Sequence, residues 1–135
     1  MTGIVPELWV EGASTAVQFY QAAFEATILH SVGDGDDIVA QLGVGDARFW
    51  VVAASTAMNR FSPKAIGGTT SRTLLVVDDP DTVLNRAVSV GATKTAPVSE
   101  ENGWRLGRIV DPSGHEWEIG RPLGQWPPHG SGFDK

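Results

Sequence analysis

Residues 72–91 read RTLLVVDDPDTVLNRAVSVG and contain the clearest strand-to-helix transition in the chain. The apolar, partly β-branched run over 72–77 predicts a strand. Asp79 and Pro80 then predict a helix start, because aspartate is a preferred N-cap and proline is favoured at the first helical position. Gly91 is placed to end this helix in a left-handed conformation. The apolar face predicted for the helix consists of Val83, Leu84, Ala87 and Val88.

The same order of elements occurs on both sides of this transition. Three more strands are predicted after the helix, over residues 92–98, 104–110 and 115–120. Asp111-Pro112-Ser113-Gly114 predicts a tight turn between the last two of them. The first half of the chain predicts strands over 4–10, 27–32, 38–44 and 47–53 and a helix over 12–24. The chain therefore contains the order β-α-β-β-β twice.

The segments outside the two repeats are richer in turn-forming residues. The first helix has Gly12 or Ser14 as its candidate cap, and its predicted apolar face consists of Ala13, Ala16, Val17, Tyr20 and Phe24. Residues 55–71 are polar and contain proline and glycine, which predicts a linker or mobile loop. We therefore expect one domain over 1–135, with module one over about 4–54, the linker over 55–71, module two over 72–120 and a tail over 121–135.

Three phrases in this frame resemble the vicinal oxygen chelate superfamily, which contains glyoxalases, bleomycin resistance proteins and extradiol dioxygenases. They are Val10-Glu11-Gly12-Ala13 leading to Phe19–Phe24, then Val76–Asp81, and then Asp111–Ile119. The Gly-His-x-Trp at 114–117 is most similar to the PhnB-like branch. The resemblance implies an α+β fold in which two tandem βαβββ modules form a curled eight-stranded mixed sheet with a concave cleft.

Strand alternation sorts the side chains between the helices and this cleft, because successive residues of a strand point to opposite faces. The residues expected against the helices are Leu8, Val10, Phe49, Val51, Thr73, Leu75, Val77, Trp117 and Ile119. Those expected in the cleft are Glu7, Trp9, Arg48, Trp50, Val52, Arg72, Leu74, Val76, Glu116 and Glu118. A β-bulge would exchange the two faces of a strand.

The family resemblance also implies where a metal would bind. Metal-dependent members place His, Glu or Gln at four matched points, which here are Val5, Trp50, Arg72 and Glu118. Only Glu118 can ligate a cation, and a typical zinc site needs about three protein ligands. We therefore expect no metal cofactor. A shift of register that brought Glu7 together with Glu118 or Glu116 is the alternative.

The remaining candidate ligands have plainer interpretations. His115 follows a turn, and we expect a structural hydrogen bond to the backbone, with a role in a site at a dimer interface as the alternative. His30 lies in a strand and His129 in the tail. The acidic cluster at 34–37 lacks the EF-hand spacing and predicts a solvated turn.

Tryptophan is frequent for a chain of this size, with five residues among 135 against one tyrosine. Trp9 and Trp50 are predicted in the cleft, and Trp104 begins a strand near its rim. Indole faces bind planar and cationic groups, and Glu7, Glu116 and Glu118 would add negative charge beside them. Such a cleft suits a planar, partly cationic molecule. Packing or a subunit interface is the alternative role for these indoles, and Arg48 and Arg72 could neutralise the glutamates.

Composition excludes several classes of function. There is no cysteine, which removes disulfides, thiolate metal sites and cysteine nucleophiles. The net charge of −6 and the absence of a basic patch argue against nucleic-acid binding. No apolar run reaches the roughly 18 residues of a membrane span, and the first residues do not resemble a signal peptide. We therefore expect a cytoplasmic protein. Nucleophile-elbow and phosphate-loop motifs are also absent from the sequence.

Two functions fit these observations. The first is a metal-free protein that sequesters a planar organic ligand, similar to bleomycin resistance proteins. Its candidate ligand-binding residues are Glu7, Trp9, Arg48, Trp50, Arg72, Leu74, Trp104, Glu116 and Glu118. The second is an enzyme of the same fold, either a metal-dependent lyase, isomerase or dioxygenase, or an acid–base catalyst using Glu118 or Glu7. The resemblance also implies a homodimer, with cleft walls drawn from two modules.

Overall fold

The computed structural model describes residues 1–127 and shows the two predicted repeats. Module one contains β1 (Glu7–Val10), α1 (Ala13–Phe24), β2 (Thr27–Val32), β3 (Val39–Val44) and β4 (Ala47–Ala53). Module two contains β5 (Arg72–Val76), α3 (Pro80–Ser89), β6 (Thr93–Glu101), β7 (Trp104–Val110) and β8 (Glu116–Pro122). A short helix, α2 (Pro63–Ile66), lies between the modules. His129 lies outside the described residues.

Hydrogen bonds join the eight strands into two four-stranded sheets with matching orders, β1-β4-β3-β2 and β5-β8-β7-β6. In each sheet the first strand of the module pairs in parallel with the last, and the other pairs are antiparallel. The predicted α+β fold with tandem modules is confirmed. The strand ends differ by a few residues from the prediction: β1 begins only at Glu7, whereas β6 continues to Glu101 and β8 to Pro122.

The core lies between the helices and one face of each sheet, and α1 packs against α3. At its centre the rings of Tyr20, Phe24, Phe49 and Trp117 pack with centroids 4.9–5.8 Å apart. The predicted apolar face of α1 is buried throughout. The prediction was wrong for Val88, which is 39% exposed, because the buried stripe of α3 runs through Pro80, Leu84 and Ala87 and Val88 lies beside it.

A buried carboxylate connects the two modules. Asp111, in the β7–β8 turn, is 3% exposed and accepts hydrogen bonds from the Tyr20 hydroxyl and from Trp117 Nε1. The backbone N–H groups of Ser113 and His115 donate to its other oxygen at 2.9 and 3.0 Å. Burial, followed by the Asp111 charge, raises the pKa of Tyr20 well above its ordinary value, so the hydroxyl keeps its proton and remains a donor.

The segment predicted as a linker or mobile loop does join the two modules, and it is anchored to module one at Ser62. Ser62 is buried; its hydroxyl donates to Glu11 Oε2, and its oxygen accepts from the Ala65 N–H at the start of α2. Pro63 is buried beside Gly114, where an added Cβ would lie 2.9 Å from Pro63 Cβ. Because real Cβ atoms essentially never approach so closely, only glycine at 114 lets the linker sit this near the β7–β8 turn.

Among residues 1–127, no helix combines the length and the hydrophobicity needed to cross a membrane.

Candidate functional site

The side of each sheet turned away from the helices is called its open face here. On the first sheet the register aligns Glu7 of β1 with Trp50 of β4, so the two side chains point to the same face. Trp9 lies two residues after Glu7 on that face, and its Nε1 donates to Glu7 Oε1 at 2.9 Å. We call these three residues the indole–carboxylate cluster. Both indoles are half-buried, so part of each ring is available to a ligand.

Neighbouring residues extend this face across the first sheet. His30 of β2 lies edge-on to Trp50, with ring centroids 6.3 Å apart. Val52 is aligned with Trp9 and is largely buried, and Arg48 is exposed two residues before Trp50. The structure therefore places Glu7, Trp9 and Trp50 together, as strand alternation predicts.

The open face of the second sheet carries an ion-pair network instead of free acids. Arg72 Nε lies 3.4 Å from Glu116 Oε1, and Arg72 Nη1 lies 3.6 Å from Glu118 Oε2. Arg108 Nε donates to Glu118 Oε2 at 2.9 Å. Two guanidinium groups thus offset two carboxylates, so the alternative that Arg72 neutralises the cleft glutamates applies to this sheet.

Arg108 was missed by the sequence analysis, although the signal was present. It lies in β7 an even number of residues after Trp104, so alternation from Trp104 places both on one face. Its partner was harder to find, because the pairing of Arg108 with Glu118 depends on the register between β7 and β8. Leu74 lies on the same open face, where it is aligned with Glu118 and is 38% exposed.

Trp104 is not brought together with the indole–carboxylate cluster. It begins β7 on the second sheet and is aligned with Pro122 of β8. Its ring packs edge-on against Trp126 with centroids 6.1 Å apart. A contribution of Trp104 to ligand binding therefore stays a prediction.

His115 connects the start of β8 to β1. Its Nε2 donates to the carbonyl oxygen of Trp9 at 2.8 Å, since a carbonyl can only accept. Its backbone N–H is held by Asp111. The predicted structural hydrogen bond to the backbone is present, and it fixes the backbone at Trp9.

The four family points do not offer the donor set of a divalent cation. Val5 and Trp50 have no ligating atom, and Arg72 is permanently positive. The Glu118 carboxylate is already held by Arg108 and Arg72. In the described part of the chain, no three His, Cys, Asp or Glu side chains are grouped to hold a metal.

A cavity of about 310 Å³ opens beside the indole–carboxylate cluster. Glu7, Trp9 and His115 line one part of it, and linker residues line the rest. Its volume is at the lower end of the range of ligand pockets, roughly 300–1,000 Å³. Two predicted ligand-binding residues therefore lie at a pocket of suitable size.

A family model described as a glyoxalase-like domain matches residues 5–120. The chain belongs to this family. This glyoxalase-like domain is 33% identical over 124 residues to an uncharacterized protein from Mycobacterium bovis, with 87% of the chain and 82% of that relative covered.

Solved structures show the same fold at lower identity. A glyoxalase/bleomycin resistance protein/dioxygenase family enzyme from Burkholderia phytofirmans superposes with a TM-score of 0.68 at 20% identity, covering 87% of this chain and 95% of that one. The fosfomycin resistance protein FosX from Listeria monocytogenes, complexed with Mn(II) and sulfate, superposes with a TM-score of 0.69 at 13% identity, covering 90% and 91%. The family model confirms the predicted glyoxalase-like membership, these structures confirm the fold alone, and the PhnB-like branch stays a prediction.

Proposed function

We propose that this glyoxalase-like domain is a metal-free small-molecule-binding protein that sequesters a planar organic ligand at the indole–carboxylate cluster. The observation that carries the proposal is the arrangement of Trp9, Trp50 and Glu7 on one open face, with the Trp9 N–H bonded to the Glu7 carboxylate. Rings that present a free face to solvent beside a charge are suited to binding a flat, polar molecule.

The energetics favour a planar ligand with a positively charged or N–H-donating group. Stacking on an indole contributes roughly 0.5–1.5 kcal/mol beyond the burial of area. A cation over the ring contributes about 0.5–2 kcal/mol, depending on desolvation. The ion pairs on the second sheet use Glu116 and Glu118 but not Glu7, so the preference for a cation rests on Glu7 alone.

Binding without turnover is supported by the residues at the family's metal points. Three of the four cannot ligate, and the fourth is engaged by two arginines. The alternative of a metal-dependent lyase, isomerase or dioxygenase lacks a fitting donor set, and acid–base catalysis by Glu7 has no observation in its favour beyond the residue's position. Sequestration of a toxic planar compound would give the protein a role in antibiotic resistance.

We also propose that the domain forms a homodimer, as the family resemblance implies. Leu74 and Val76 leave 38% and 40% of their surface exposed on the open face of the second sheet, where a second copy would cover them. Sedimentation velocity at micromolar concentration tests this, and a monomer throughout would contradict it.

Titration with proflavine, a planar aromatic cation, tests the proposed binding function. Wild-type protein should bind it with quenching of tryptophan fluorescence, whether or not divalent ions are present. Trp50→Ala should weaken the affinity about tenfold, because it removes a stacking surface and the associated buried area. Trp126→Ala is the matched control, since Trp126 is an exposed indole at the far end of the second sheet and should leave the affinity unchanged.

Two results would contradict the proposal. Wild-type protein that binds no planar cation would remove the function itself. Equal affinities for wild-type and Trp50→Ala would show that Trp50 is not part of the site.

A further inference from the structure

The linker between the modules supplies one wall of the cavity beside the indole–carboxylate cluster. Phe61, Pro63 and Ile66 line the cavity together with Trp9 and Glu7. Phe61 is 42% exposed and Ile66 is 59% exposed, so part of each apolar side chain is open to solvent. A ligand in this cavity would cover apolar surface that the chain leaves open.

This wall is fixed with respect to both modules. The Ser62 hydroxyl, directly after Phe61, bonds Glu11 next to the end of β1, and it also caps α2, which contains Ile66. Thr69 donates to Glu116 of module two at 3.3 Å. The wall is therefore hydrogen-bonded to both modules.

The cavity also has polar groups at its edge. The hydroxyl side chains of Thr70 and Ser71 line it, and both residues are exposed. A hydroxyl group can both donate and accept a hydrogen bond, whereas the Glu7 carboxylate can only accept. Two aromatic side chains, one carboxylate and these hydroxyls thus surround a space of about 310 Å³.

We infer that the linker is a specificity-determining wall of the ligand site. The ligand is a compact aromatic molecule whose ring contacts Trp9, Phe61 and Ile66 and whose cationic or N–H group is directed to Glu7. This inference rests on the proposed binding function and adds the linker residues and the size limit to it. The open face of the first sheet would by itself accept a flat molecule of any length. The linker wall restricts the length of the ligand, because it bounds one side of the cavity.

Proflavine titration of linker variants tests the inference. Phe61→Ala and Ile66→Ala should each weaken the affinity about five- to tenfold, because each removes apolar surface that the ring would bury. Met58→Ala is the matched control: Met58 is 65% exposed in the same linker but does not line the cavity, so its affinity should stay within twofold of wild type. All three side chains are exposed, and circular dichroism should show an unchanged fold.

A second readout locates the ligand. In proton–nitrogen correlation spectra, the Trp9 indole N–H signal should shift on addition of proflavine to wild-type protein, and the shift should be smaller in Phe61→Ala at the same ligand concentration.

The outcomes separate the two claims. If Trp50→Ala weakens binding while Phe61→Ala and Ile66→Ala bind like wild type, the linker wall is wrong and the binding function stands. If wild-type protein does not bind proflavine, both claims fail.

Discussion

The open faces of the two sheets occupy matching places in two modules of the same strand order, yet they differ in chemistry. On the first sheet, Trp50 of the last strand lies beside Glu7 and Trp9. On the second sheet, Glu118 of the corresponding strand is held by Arg72 and Arg108. The first face keeps aromatic surface and a carboxylate available to a ligand, whereas the charges of the second face satisfy one another. The two modules of a duplicated fold thus present one face with partly exposed aromatic rings and one face on which the charged groups pair with one another.

The two modules also differ in the turns that precede their last strands. Removing the aspartate side chain of the second of these turns should have the largest effect on the free energy of unfolding. Asp111, in the β7–β8 turn, is buried with four hydrogen-bond donors, whereas Asp46, in the β3–β4 turn, is exposed. Asp111→Ala should lower the free energy of unfolding by about 3 kcal/mol, because buried donors lose their acceptor. Asp46→Ala should change it by less than about 0.5 kcal/mol. Chemical denaturation measures both, and similar losses would show that the Asp111 network stabilises the fold no more than an exposed turn residue does.

Breaking the ion-pair network of the second sheet should change the free energy of unfolding by an intermediate amount. Glu118→Gln removes the carboxylate shared by Arg72 and Arg108 and should lower the free energy of unfolding by about 0.5–1 kcal/mol. The affinity for proflavine should stay within about twofold of wild type, since the ligand is proposed to bind at the first sheet. A tenfold loss of affinity would move the binding site to the second sheet and would revive Glu118 as a functional residue.

The helices of the two modules differ in their N-terminal caps, and removing the cap of α3 should have the smallest effect on stability. Helix α1 begins at Gly12 without a side-chain cap, whereas Asp79 caps α3 through the backbone N–H and the hydroxyl of Thr82. These bonds, first that of the Thr82 hydroxyl and then that of its backbone, lower the pKa of Asp79. Because the folded-state pKa is the lower one, the stabilisation is complete above the unfolded-state pKa of about 3.9 and is lost as the pH falls through the folded-state pKa.

Asp79→Ala should therefore lower the midpoint of thermal unfolding slightly at neutral pH. The difference from wild type should shrink as the pH is lowered below about 4, because Asp79 is protonated first in the unfolded state and then, through its lowered pKa, in the folded state. Asp78→Ala is the control, because Asp78 is exposed and precedes the cap. A difference that persists unchanged in acid would mean that the ionised cap does not stabilise α3.

Local patterns of the sequence were enough for the eight strands, the faces of those strands and the two longer helices, but not for α2 or for the exposure of Val88. The alternation of Glu7 and Trp9 with Leu8 and Val10 is a property of a few consecutive residues, and so is the capping signal at Asp79 and Pro80. Such signals survive in any tertiary context because side-chain direction in a strand follows from the backbone itself. The ligand-binding role of the predicted residues stays a prediction.

Contacts between distant residues were decided only by the tertiary structure. The Tyr20–Asp111 bond joins residues 91 apart in the sequence, and the Ser62–Glu11 bond joins residues 51 apart. The first buries the carboxylate of an aspartate whose sequence context is that of an ordinary turn residue, and the second anchors the linker to module one at Ser62. Likewise, the sequence left open whether Arg72 neutralises the glutamates, and the strand register sets Arg72 and Arg108 beside them. The sequence by itself determined which side chains each strand carries and to which face they point. The packing of strands and loops determined which charged groups remain unpaired, because ion pairs and hydrogen bonds form between groups that are close in space.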